Sequence, residues 1–267
     1  MLNKVCDLLT NLTKLEIQYG AIDLSMNYES KFFGMRLEDT DGLGKAISNM
    51  WCLTSLVLSG NRINDDILRE LVKTMRSNYL NTLINLDLSH NKITTNGFRF
   101  LANKVLDADS VLCYLNVADN RIHAEGGRCL GRLLRFNKSL THLNIKLNRL
   151  EDVGGRMILD GLNENFSLKA LDISSNGLGS ESMKVLVSVL LNSKPQGGLS
   201  FLDVSSNFFD RVDVSTLQMA LKRNKAIQSL DVRMNSSSDI SKQDEEIDEK
   251  IMGICVRNEF TTGHSTE

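Results

Sequence analysis

Residues 83–106 read LINLDLSHNKITTNGFRFLANKVL. The opening alternates: Leu86 and Leu88 face one way and Asp87 the other, as in a short strand buried on one side. Asn91 ends the alternation and Ile93 packs behind it. Gly97 then opens a segment whose apolar residues, Phe98, Leu101 and Val105, follow the period of a helix.

The same opening recurs along the chain. LTSLVLSGN (53–61), LCYLNVADN (112–120), LTHLNIKLN (140–148), LKALDISSN (168–176), LSFLDVSSN (199–207) and IQSLDVRMN (227–235) align with LINLDLSHN (83–91) as LxxLxLxxN. The closing residues are Asn61, Asn91, Asn120, Asn148, Asn176, Asn207 and Asn235, separated by 30, 29, 28, 28, 31 and 28 positions. A fixed period of this length marks a stacked supersecondary unit. The helical halves carry Ile67, Leu71 and Met75; Leu130, Leu133 and Leu134; Ile158 and Leu162; Val185, Leu186 and Val189; Leu217 and Leu221. One unit alone cannot bury its apolar face, whereas stacked neighbours bury a continuous core. Each asparagine amide is both donor and acceptor. It is suited to bond backbone groups of its own turn and the next, which would otherwise be buried unpaired.

LxxLxLxxN is the signature of leucine-rich repeats, and a period near 28 with a helical second half resembles the ribonuclease-inhibitor-like subclass. The resemblance implies an α/β horseshoe solenoid, with parallel strands on the concave face and helices on the convex face. Residues 51–235 hold the seven rungs. Residues 1–50 read as an irregular N-terminal rung with an insertion: Leu12, Leu15 and Ile17 fit the strand half, and a helix is expected over 42–49. Residues 236–260 read as a C-terminal capping helix, with Ile247, Ile251 and Ile254 on one face after an acidic start, and 261–267 as a disordered tail.

Composition narrows the function classes. The chain has 267 residues, 42% hydrophobic and 24% charged, as in a soluble globular protein. A net charge of -2 gives no electrostatic reason to expect nucleic acid or an anionic membrane as partner. Cys6, Cys52, Cys113, Cys129 and Cys255 are odd in number, widely spaced and free of any CxxC, which suits reduced thiols in the cytoplasm. Lys4 and Asp7 make residues 1–11 a poor signal peptide, and no apolar run approaches the roughly 20 residues that span a bilayer. The sequons at Asn137 and Asn165 therefore carry little weight.

Catalytic chemistry finds no foothold. His90, His123, His142 and His264 are isolated, and no Cys/His cluster has metal-ligand spacing, so no metal and no cofactor are expected. Neither GxSxG nor a P-loop occurs. Gly126-Gly127 and Gly154-Gly155 could open phosphate-binding helices, but they recur at one phase of the repeat, where the chain enters its outer helix. Cys113 reads as a small packing residue. No catalytic residue and no enzymatic activity are expected.

The strand wall is the default binding surface. Alternation gives each strand three outward positions, among them Ser89, Ala118 and Ser174 in the last place. Asp87, Asp172, Asp203 and Asp231 form an acidic column; Tyr114, His142 and Phe201 are larger contact groups; Lys146 and Arg233 add basic points. Tyr114, His142, Lys146, Asp172, Phe201, Asp203, Asp231 and Arg233 are the candidate partner-binding residues, for a protein carrying basic groups. The competing reading is that Asp at this place only solvates a sheet face.

Details outside the repeat narrow the resemblance. TKLEIQYG (13–20) followed by MNYESKFFGMRLEDTDGLGKAI (26–47), LNIKLNRLEDVGG (143–155) with Lys146, Glu151, Asp152, Gly154 and Gly155, and LDVRMN (230–235) with Arg233 resemble the dynein regulatory complex subunit five family, also called T-complex-associated testis-expressed protein one. That resemblance implies a non-enzymatic scaffold of the nexin–dynein regulatory complex in the axoneme of motile cilia and flagella. It implies coiled-coil and leucine-rich subunits as partners, and no catalytic residues. Two other classes share the repeat: a regulator of a small GTPase, of the Ran-GTPase-activating-protein type, and a cytosolic inhibitor or sensor. The first typically bears a strongly acidic tail, and DEEIDE (244–249) is short for that.

Overall fold

The structure, a computed structural model, describes residues 10–18, 34–74, 82–106, 110–192 and 198–235. The chain divides into two units, residues 1–122 and 123–267.

In the first unit, β1 (Lys14–Glu16), α1 (Leu37–Ser48), β2 (Ser55–Val57), α2 (Asp65–Thr74), β3 (Asn85–Asp87), α3 (Thr95–Val105) and β4 (Tyr114–Asn116) follow one another. Its four strands are parallel, and Leu15, Leu56, Leu86 and Leu115 share one register row. Leu56, Leu86 and Leu115 are buried, and behind them Ile63, Leu68, Leu71, Ile93, Phe98, Leu101 and Val105 fill the space under the helices. Parallel pairing follows from the repeat: a strand that returns parallel to its predecessor needs a crossover connection, and here each crossover within the unit carries a helix.

In the second unit, α4 (Gly126–Phe136), β5 (His142–Asn144), α5 (Glu151–Gly161), a 3₁₀ turn (Leu162–Glu164), β6 (Ala170–Asp172), α6 (Ser180–Asn192), β7 (Phe201–Asp203), α7 (Arg211–Leu221) and β8 (Ser229–Asp231) repeat the pattern. Its strands too are parallel, with Leu143, Leu171, Leu202 and Leu230 in one row.

The asparagines bridge rungs within each unit. Asn91 Nδ2 donates to the carbonyls of Leu58, Leu88 and Ser89, while its Oδ1 accepts from the backbone N–H of Asn61 and Ile63, all at 2.9–3.0 Å. Asn207 does the same for the carbonyls of Ile173, Val204 and Ser205 and the N–H of Asn176 and Leu178. Asn61, Asn91, Asn120, Asn148, Asn176, Asn207 and Asn235 are all buried. One place breaks the pattern: Asn176 Oδ1 is buried with no hydrogen-bond partner, and the chain facing it carries the left-handed Glu151, at φ 54°.

The residue before each of these asparagines is left-handed: Gly60, His90, Asp119, Leu147, Ser175, Ser206 and Met234 have φ between 48° and 72°. A side chain there is turned out of the rung, which leaves Leu147 and Met234 exposed. Sequence gave little warning, because only Gly60 is the residue that favours this conformation.

A second asparagine set closes the opposite end of three rungs. Asn137, Asn165 and Asn224 are buried, and their Oδ1 atoms accept from the N–H of Leu140, Leu168 and Ile227 at 2.7–2.9 Å. The two sequon asparagines are thus internal turn-formers, with 7% and 6% of their surface exposed.

Three local expectations are corrected. The helix placed at 42–49 begins at Leu37, because Asp39 accepts from the Arg36 N–H at 2.8 Å and closes the helix start without a conventional Ser, Thr or Asp in the capping place. The helix after Asn91 begins at Thr95 rather than Gly97, capped by Thr94. Val185 is only half-buried; Met183 and Leu190 join Leu186 and Val189 in the core instead. The Met75 side chain, the capping helix expected over 236–260 and the tail 261–267 lie outside the described residues.

Candidate functional site

Seven of the eight candidate contact residues belong to the second unit: His142, Asp172, Phe201, Asp203 and Asp231 on its strands, and Lys146 and Arg233 just beyond the ends of β5 and β8. Strands of three residues leave only two outward positions each, so two register rows cross this face. His142, Ala170, Phe201 and Ser229 form the first. Asn144, Asp172, Asp203 and Asp231 form the second. His142 and Phe201 are exposed, Phe201 at 47%, and His142 Nδ1 shares a hydrogen bond with Thr141 Oγ1 at 2.9 Å.

The third outward position fails as an extension of the strand. Ser89, Ala118 and Ser174 are buried, because the chain has already turned toward the asparagine when it reaches them. Lys146, in the same place, is half-buried, while Arg233 in the last described rung is exposed.

The acidic column has a local structural job. Asp172 Oδ1 accepts from the Ser174 N–H at 3.0 Å and from Ser174 Oγ at 2.7 Å. Asp203 Oδ1 accepts from the Ser205 N–H at 2.9 Å, and Asn144 Oδ1 from the Lys146 N–H at 3.0 Å. Asp87 and Asn116 do the same in the first unit. An Asp or Asn at this place shapes the turn that leaves the strand. One oxygen of each carboxylate is so engaged; Asp172 Oδ2 and Asp203 Oδ2 accept from no other group among the described residues.

Asp231 differs. The Arg233 guanidinium bonds both its oxygens, from Nε at 3.0 and 3.1 Å and from a terminal nitrogen at 2.5 Å. These bonds hold the Asp231 carboxyl below its ordinary value; burial opposes them, and the charges of Arg233 and Lys146 add to the lowering. Arg233 is therefore not a free basic point but the partner of Asp231. The net negative charge of the face sits on Asp172 and Asp203, which are neighbours in register, with Phe201 beside Asp203 and Lys146 at the far edge.

Tyr114 belongs to the first unit. It pairs in register with Asn85 and is half-buried. Cys52, Cys113 and Cys129 are not joined in disulfides. Among the described residues, no group of three or more His, Cys, Asp or Glu is placed to hold a metal, and no helix is long and apolar enough to cross a membrane.

The family model described as Leucine Rich repeat matches residues 52–72, 79–102, 110–131, 136–159 and 164–187. Dynein regulatory complex subunit 5 of Chlamydomonas reinhardtii is 37% identical over 57 residues, 21% of this chain and 15% of that protein. The matched stretch thus spans a small part of that relative's length. The solved structure of leiomodin-1 actin-binding site 2 aligns over 53% of this chain and 76% of its own, with 16% identity and a TM-score of 0.45. The chain is a leucine-rich-repeat protein, similar over one stretch to dynein regulatory complex subunit 5.

Proposed function

We propose that the chain is a non-enzymatic protein-interaction scaffold of the nexin–dynein regulatory complex in motile cilia and flagella. The observation that carries this reading is the 37% identity to a subunit of that complex. The rung architecture supports it, since short parallel strands hold outward side chains of successive rungs at fixed spacing, ready for one extended partner. In the second unit the contact groups are His142, Phe201, Asp172 and Asp203, with Lys146 at the edge. Asp231 and Arg233 neutralise each other and supply shape rather than charge. The partner face that suits these groups is basic with an apolar anchor for Phe201, because an exposed aromatic supplies contact area at low entropy cost. Tyr114 is the corresponding contact of the first unit. The partners of this reading are the coiled-coil and leucine-rich subunits of the complex, and the place is the axoneme.

Crosslinking mass spectrometry on intact axonemes tests it. Crosslinks from this chain to subunits of the regulatory complex are the expected result. A chain extracted entirely by detergent and absent from the axonemal fraction overturns it.

A further inference from the structure

A column of cations recurs on the outer helices, at one distance from the ladder asparagines. Eight places after Asn120, Asn148 and Asn176 stand Arg128, Arg156 and Lys184, all exposed, on α4, α5 and α6 of the second unit. The same place holds Arg69 and Arg99 in the first unit. Most of these cations are already engaged on their own helix: Arg69 with Asp66, Arg99 with Asn96, Lys184 with Glu181. Arg128 and Arg156 are not. Three places before Arg156 stands Val153, where Lys184 has Glu181, and Val153 is 50% exposed. Arg132, one turn beyond Arg128, is also exposed, and no carboxylate lies at ion-pair distance from Arg128, Arg132 or Arg156 among the described residues. Arg135 on the same helix shows the contrast, reaching Asp160 at 2.9 Å and Glu164 at 3.3 Å. At the end of α4, Phe136 is 61% exposed.

We propose that the outer helical wall of the second unit, with Arg128, Arg132 and Phe136 on α4 and Val153 and Arg156 on α5, docks an acidic helical segment of another protein. The face is basic with two apolar points, the inverse of the Asp172–Asp203 strand face. Arg128, Arg132 and Phe136 follow one another at i, i+4 and i+8, about 6 Å apart along the helix. An aligned helix with carboxylates one turn apart repeats at the same distance. Guanidinium groups fit carboxylates through two parallel hydrogen bonds, so arginine in three of these places gives geometric selection as well as attraction. Phe136 and Val153 offer contacts that an apolar side chain of the partner fills and a phosphate backbone does not. The flanking carboxylates Glu125, Asp160 and Glu164 and the net charge of -2 disfavour a uniform polyanion such as duplex DNA. This inference concerns a different wall from the strand face and does not depend on the axonemal reading.

The test uses the full chain and a labelled synthetic helix with glutamates one turn apart and leucines between them, titrated by fluorescence anisotropy at low salt. Duplex DNA and vesicles of anionic lipid serve as competing probes. The acidic helix is expected to bind, and Arg128→Glu/Arg132→Glu to weaken it about tenfold or more. Lys222→Glu/Lys225→Glu, which changes net charge equally on another part of the unit, is expected to leave binding intact. Arg156→Glu, on the neighbouring helix, is expected to weaken binding independently and keeps the test valid should the double variant fail to fold by circular dichroism. No binding by the unaltered chain, equal loss in the Lys222/Lys225 variant, or tighter binding to DNA or vesicles through the same arginines overturns the proposal.

Discussion

Asp152, in the first turn of α5, caps the helix of the next rung: its Oδ1 accepts from the Ser182 N–H at 2.8 Å. The same carboxylate accepts from the N–H of Gly179 at 2.9 Å and of Glu181 at 3.2 Å, and Ser182 Oγ returns a bond to the Asp152 carbonyl. Helix starts leave N–H groups without partners, and here a neighbouring rung supplies the acceptor. Asp65 does this for Thr94 in the first unit, and Ser180 Oγ donates to Asp213 in the second. Rungs are thus joined at their helix starts as well as at their asparagines.

Asp152→Ala therefore destabilises the second unit by about 1–2 kcal/mol near neutral pH, a capping loss. Burial pushes the Asp152 carboxyl up, but the hydrogen bonds from Ser182, Gly179 and Glu181 outweigh it and hold the carboxyl below the ordinary aspartate value. A group with a depressed folded pKa stabilises fully above its unfolded value and loses that contribution as pH falls through the folded value. The gap in urea midpoint between wild type and Asp152→Ala is expected to be full at about pH 6 and to shrink below about pH 4. A gap that widens on acidification would contradict the assignment.

Asn120→Ala removes four hydrogen bonds of a buried amide, to the carbonyls of Leu88, Val117 and Ala118 and from the Ile93 N–H, all 2.9–3.1 Å long; the Leu88 and Ala118 carbonyls keep Asn91 Nδ2 and the His90 N–H as donors, while the Ile93 N–H loses its acceptor. Water has little access there, so the expected cost is about 1–3 kcal/mol, read as a lowered thermal midpoint. An unchanged midpoint would mean that solvent replaces the amide at no cost.

Leu147 is held at φ 54° with 46% of its surface exposed, so it combines backbone strain with little burial to lose. Glycine removes the steric conflict of the left-handed conformation, about 1 kcal/mol, against the greater freedom it gives the unfolded chain. Leu147→Gly is expected to leave stability unchanged or slightly raised, whereas the β-branched Leu147→Val lowers it. Denaturant midpoints of the two variants, measured side by side, check the order.

The rungs were legible because their positions demand particular chemistry. Leucine at Leu86 and Leu88 is required by burial on one face, and asparagine at Asn91 by the need for donor and acceptor on one short side chain. What stayed hidden depends on backbone conformation and on pairing across rungs. Nothing in the residue types at Leu147 or Met234 signals a left-handed turn. Alternation extended the strands two residues too far, placing Ser174 outside when the turn had already buried it. Alternation also picked out Asp231 and Arg233 separately, but that they bond each other follows from the turn between them. The capping of α6 by Asp152 joins residues thirty positions apart, near the repeat itself, so its signal is a column read between rungs rather than a local motif.

Gly127 shows the same dependence on neighbours. A β-carbon there would lie 2.5 Å from both Cα and the carbonyl oxygen of Gly154 on the adjacent helix. In an isolated helix, alanine for glycine is favourable by about 1 kcal/mol. Here the obstruction is backbone, which cannot rotate away, and forced separation of α4 from α5 costs about 1–3 kcal/mol. Overpacking wins on balance, so Gly127→Ala lowers the thermal midpoint. Gly127, Gly154 and Gly155 then owe their place to close packing against neighbouring residues and not to a phosphate. A midpoint that rises in Gly127→Ala would show that the two helices can part freely, and would remove this account of Gly127.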